Sequence, residues 1–134
     1  MKITKDFPGL VDELWCFRFI GSIETEESLE IDLGSKWLIV SGSVKAGEGI
    51  KAGMGIKAGE GIEAGWGIEA GMGIEAGEGI KAGLSIRCHG ELKFAFHLFA
   101  GIASWKKADG DDLLVEAKRI DGDVKHGTVR LLQE

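Results

Sequence analysis

The chain has 134 residues, a formal net charge of -6, 22 glycines and a single proline. That length supports one domain with a modest core, and no apolar run approaches the ~20 residues of a membrane helix. The acid excess argues against direct nucleic-acid binding, which needs a basic stripe.

The first 43 residues read as an N-terminal cap, with Asp6 and Pro8 opening a short helix over "DFPGLVDE". "LWCFRFIGSI" (14–23) and "SLEIDLGSKWLIVSGSV" (28–44) have the alternation of strands, the second as a hairpin about Leu33–Lys36. This region holds 4 basic and 8 acidic side chains, and its acids concentrate in Glu24, Glu26, Glu27, Glu30 and Asp32. Cys16 lies here and Cys88 far downstream. They match neither a disulfide framework nor a metal knuckle, and no charged-then-apolar leader opens the chain, so the expected compartment is the cytoplasm.

From Ala46 the sequence becomes a repeat of six, A-G-x-G-I-[KE], running to "AGLSIR". Fourteen of the 22 glycines fall in residues 42–83, a density that excludes a helix. A unit of six suits one edge of a prism: Ala and Ile point in, the charge points out, and the Gly pair turns the corner, where positive φ is cheap. Three edges make a coil of 18, and residues 18 apart then stack about 4.8 Å apart. At that offset Lys45 meets Glu63, Glu63 meets Lys81, Lys51 meets Glu69 and Lys57 meets Glu75. Opposite charges pair throughout, which sets register more than stability, since an exposed pair is worth only ~0.2–1 kcal/mol. The variable corner stacks Met54 under Met72, Glu60 under Glu78, and Glu48, Trp66 and Leu84 in a third column.

The unit "AGEGIK" resembles that of the hexapeptide-repeat, left-handed parallel β-helix proteins, with the large and small inward residues exchanged. The resemblance covers about residues 44–100, because Ile86, Leu92 and Leu98 keep the spacing after the glycines end. It implies a parallel β-helix, and it raises the acyltransferase and metal-binding chemistries of that family. Those would use His89, His97 or His126, yet no second acid, nucleophile or ligand spacing accompanies any of the three. "DGDD" (109–112) lacks the remaining ligands of a calcium loop, and the glycines lack the Lys-Ser/Thr of a phosphate loop.

Beyond the glycines, "IRCHGELKFAFHLFAGI" (86–102) reads as the last coil or a sealing strand, and "LLVEAKRIDGDVKHGTVRLL" (113–132) as a hairpin turning near Asp121-Gly122. The expected fold is mainly β. It has a parallel β-helix core of about three 18-residue coils (44–103), an α/β N-terminal cap (1–43) and a β-hairpin C-terminal cap (104–134).

Met54, Trp66, Met72 and Leu84 are large apolar groups at a slot that should face solvent. Cover by the chain's own flank, self-association and a partner protein all fit such a column. Near-identical repeats suit a scaffold or docking surface better than a catalytic site. The expectation is therefore a non-enzymatic, protein-binding module without cofactor or metal, a homodimer through a cap strand or the Met/Trp column. In style it resembles phage and mobile-element accessory proteins that block bacterial defences. An anti-CRISPR-like inhibitor acting in the host cytoplasm would set Glu24, Glu26, Glu27, Glu30 and Asp32 into a basic nucleic-acid channel of a defence effector. The competing classes are a hexapeptide-repeat enzyme or small-ligand binder using His89 or His97 at a trimer interface, and a polymerising spacer.

Overall fold

A computed structural model describes residues 1–132. Each repeat unit forms a three-residue strand, Ile-[Lys/Glu]-Ala, followed by a Gly-x-Gly corner. Alternation along the strand turns Ile and Ala inward and the charge outward, and in strand after strand the central residue is accessible between two buried ones.

The chain enters through β1 (Lys2–Ile3) and β2 (Leu10–Asp12) and then winds about six coils. The first holds β3 (Cys16–Phe19), β4 (Ile23–Thr25) and β5 (Leu29–Ile31), the second β6 (Trp37–Val40), β7 (Val44–Ala46) and β8 (Ile50–Ala52). The third holds β9 (Ile56–Ala58), β10 (Ile62–Ala64) and β11 (Ile68–Ala70), the fourth β12 (Ile74–Ala76), β13 (Gly79–Ala82) and β14 (Ile86–Cys88). The fifth holds β15 (Glu91–Phe94), β16 (His97–Phe99) and, after a 3₁₀ turn at Gly110–Leu113, β17 (Leu114–Ala117). The sixth holds β18 (Arg119–Asp121), β19 (Val124–His126) and β20 (Thr128–Leu131).

Three parallel sheets result. Face A stacks β1, β5, β8, β11, β14, β17 and β20. Face B stacks β2, β3, β6, β9, β12, β15 and β18, and face C runs from β4 to β19. Only β2, antiparallel to β3, departs from the parallel rule. The expected register is present, with Lys45 opposite Glu63, Glu63 opposite Lys81, Lys51 opposite Glu69 and Lys57 opposite Glu75. On face A the outward ladder reads Lys2, Glu30, Lys51, Glu69, Arg87, Glu116, Arg130, alternating in sign without a break. Inside, Ile50, Ile56, Ile62, Ile68, Ile74, Ile80, Ile86, Leu92 and Leu98 fill the axis and are all at most 2% exposed.

The repeat glycines work differently from the expectation. None within residues 42–83 has a positive φ. The first glycine of a corner is needed because coils stack closely. A Cβ on Gly65, Gly71, Gly77 or Gly83 would lie 1.9–2.1 Å from the carbonyl oxygen of the glycine 18 residues earlier. On face B the second glycines, Gly55 and Gly73, are overlaid by the Trp37 ring, 2.4 and 2.8 Å from where their Cβ atoms would stand.

The flanks continue the coil. The helix expected after Asp6 does not form; residues 5–9 turn, Gly9 takes φ +90, and β2 follows. A residue at that φ ends any right-handed turn, and Phe7 is used to pack on Phe19, ring centroids 6.0 Å apart. The hairpin at Leu33–Lys36 is instead a corner: Gly34 has φ +66 and β6 lies parallel between β3 and β9. Residues 113–132 make no hairpin either. Gly122 turns a corner at φ +148 and β20 runs parallel to β17, which keeps Ile120, Val124 and Val129 in register with the inward columns of Leu92, Leu98 and Val115. The segment 86–102 is accordingly followed by a further coil, and the solenoid has about six turns where three were expected.

Candidate functional site

Backbone bonds between successive corners confirm the stacked columns. The Met72 N–H donates to the Met54 carbonyl at 2.6 Å, Glu78 to Glu60 at 3.1 Å, Trp66 to Glu48 at 3.3 Å and Leu84 to Trp66 at 3.2 Å. The four apolar residues singled out from the sequence therefore divide between two edges of the prism. Met54 and Met72 lie where face A meets face B, while Trp66 and Leu84 lie where face C meets face A. Met72 is 47% and Trp66 44% exposed, whereas Met54 and Leu84 are half-buried.

The C/A edge carries more than the repeat supplies. Between β16 and β17 the chain leaves the coil for residues 100–113 and returns over this edge. The Ala103 N–H donates to the Gly83 carbonyl at 2.9 Å, and Trp105 meets Trp66 with ring centroids 6.5 Å apart. An ion pair of 3.0 Å between Lys106 and Asp112 closes the loop, and the lysine's hydrogen bond holds the Asp112 carboxyl below its usual range. Trp105 remains 57% exposed and Ile102 44%. The chain's own cover of the column is thus partial, and it enlarges the apolar surface. Trp105 escaped the sequence reading; its signal is the broken spacing between Leu98 and the next inward aliphatic, Val115, which pairs with Ile86 29 residues earlier.

The acidic residues are dispersed. Glu24 stands on face C opposite Lys45, and Glu30 on face A between Lys2 and Lys51. Asp32 follows β5 toward the A/B edge, its N–H donating to the Ile3 carbonyl at 2.8 Å. Glu26 and Glu27 are exposed on the C/A edge, where Glu48 donates its N–H to Glu27 at 3.2 Å. One edge therefore runs from Glu27 through Glu48 to Trp66 and Leu84.

Elsewhere the surface offers shallow grooves. One of about 680 Å³ follows face C along Ser22, Ser43, Gly61 and Gly79, and one of about 520 Å³ follows face A along Ser28, Gly49, Gly67 and Ser85. Their walls are the alternating ladders. The three histidines lie on separate elements: Nδ1 of His126 bonds the Ala100 carbonyl at 2.5 Å, Nδ1 of His89 bonds that of Gly71 at 3.2 Å, and His97 packs on Phe99. Both cysteines are free and buried. Burial pushes the Cys88 thiol up to about 11, so it stays protonated at neutral pH. No group of three or more metal-ligating side chains occurs among the described residues, and no helix there is long and apolar enough to cross a membrane.

Comparison with family models, curated proteins and solved structures returns no match. Functional argument rests on this chain's own surface.

Proposed function

We propose that this chain is a non-enzymatic binding protein, a stiff β-solenoid whose C/A edge docks on another protein. The observation that carries the reading is the exposed Trp66–Trp105 pair at the centre of that edge. Paired aromatics held on a rigid backbone are the side chains most often found at the energetic centre of interfaces. They stand out here because the charged ladders on the faces are balanced by their own neighbours. The acids Glu26, Glu27 and Glu48 prolong the same edge and suit a partner with a basic surface. A nucleic-acid channel in a bacterial defence effector has that character, and the anti-CRISPR-like inhibitor is the specific form of the proposal. The repeat itself is read as a variant of the hexapeptide-repeat unit, with the inward Ile and Ala exchanged.

The test is capture from bacterial lysate with mass spectrometry, comparing the native chain with a Trp66→Asp, Trp105→Asp double variant of unchanged circular dichroism. One stoichiometric partner held only by the native chain is the expected result. Reversal of Glu26, Glu27 and Glu48 to Lys should then weaken binding and flatten its salt dependence. Equal capture by both chains overturns the assignment of the edge, and unchanged binding after charge reversal removes the basic-channel partner.

A further inference from the structure

The two ends of the solenoid are finished differently. At the N-terminal end Ile3 of β1 is fully buried, β2 folds back antiparallel on β3, and Phe7, Leu10 and Phe19 pack over the core. At the C-terminal end the inward columns stop uncovered. Val115 and Ala117 of β17 are fully buried, yet Val129 and Leu131, their neighbours in β20, are 48% and 57% exposed. Among the described residues β18, β19 and β20 each pair on one side only, which leaves three strand edges with free backbone groups around an apolar centre.

We infer that this end is a self-association surface, occupied by the same end of a second copy of the chain. Two arrangements of a copy are conceivable, and charge separates them. A head-to-tail copy would bring β1 against β20, and Lys2 and Arg130 stand at the two ends of the face A ladder with the same sign. It would also require the antiparallel β2 to extend a parallel sheet. A two-fold copy sets β20 antiparallel to β20. Centred on Val129, that pairing places Val129 against Val129 of the second copy, Thr128 against Arg130, and Leu131 against Gly127, which has no side chain to oppose it. No like charges face each other across β20. The half-buried Ile120 of β18 and Val124 of β19 extend the apolar contact on either side. A two-fold contact closes on itself, so assembly ends at the dimer.

Sedimentation of the full chain over about 1 to 100 μM tests this. The expected species is a dimer of twice 14.3 kDa, converted to monomer by Val129→Asp with the β-type circular dichroism retained. A second variant removes dependence on that substitution folding. Facing Cβ atoms in an antiparallel pair lie about 4.5–5.5 Å apart, close enough for Val129→Cys to oxidise to a covalent dimer. Val11→Cys, exposed at the opposite end, should stay monomeric, and the native Cys16 and Cys88 are buried and silent. A native chain that is monomeric throughout, or cross-linking through Val11→Cys in place of Val129→Cys, overturns the inference.

Discussion

Gly71 and Gly49 occupy the two glycine slots of equivalent repeats but meet different surroundings. A Cβ at Gly71 would stand 2.1 Å from the Gly53 carbonyl oxygen, whereas one at Gly49 would be 3.6 Å from that of Gly67. Neither has a positive φ, so backbone strain does not separate them. Gly71→Ala must push two coils apart and should cost about 1–3 kcal/mol, as overpacking does. Gly49→Ala fits and should stabilise by up to ~1 kcal/mol through the unfolded chain. Thermal melts of the two single variants check the ordering, and equal melting points would mean that coil spacing does not select the first glycine. Composition made the glycines look like turn residues. Their role in stacking is invisible there, because the clash is with an atom 18 residues away.

At the scale of elements, the loop of residues 100–113 is a decoration on a continuous coil. The face A register passes from Ile86 to Val115 as though the loop were absent, and Ile86 and Val115 are both fully buried. Replacing residues 103–111 by a short Gly-Ser linker should leave the melting point within a few degrees while removing Trp105 from the edge. Loop closure cost grows only slowly with length, about 0.6 kcal/mol per doubling. Partner capture should fall as it does for Trp66→Asp, Trp105→Asp. A large loss of stability would instead make the loop part of the core. The N-terminal element is tied down more firmly: Lys36 bonds Asp12 at 2.5 Å and the Glu13 carbonyl at 2.7 Å and stands over the Phe17 ring, while Arg18 pairs with Glu13 at 3.0 Å. These long-range contacts turn "DFPGLVDE" from a plausible helix into a turn and strand.

Over the whole molecule, the period of 18, the corner columns and the charge pairs were legible because each is a relation between residues at a constant offset. The outer coils were harder to see because that offset changes. Leu29 pairs with Ile50, 21 residues on, and Val115 with Val129, only 14 on. The spacing of six from Ile23 to Leu29 and from Leu38 to Val44 was the available signal, hidden by the extra residues between Ile31 and Trp37. The Trp66–Trp105 contact had no such signal, since a loop's return path depends on tertiary packing.

The alternating ladders also give the solenoid a parity. The coil carrying Glu63, Glu69 and Glu75 lies between coils carrying lysine or arginine at the same three positions, on all three faces at once. Tandem duplication of residues 60–77 would set glutamate over glutamate in three columns, while duplication of a 36-residue block of two coils would preserve every opposite pair. The longer insertion should therefore melt higher than the shorter one, and the reverse order would show that core length outweighs the ladder. Slippage during copying adds or removes hexads freely. Selection on such a pattern admits new lengths only in steps of six hexads, so the charge alternation acts as a ruler for how this protein grows.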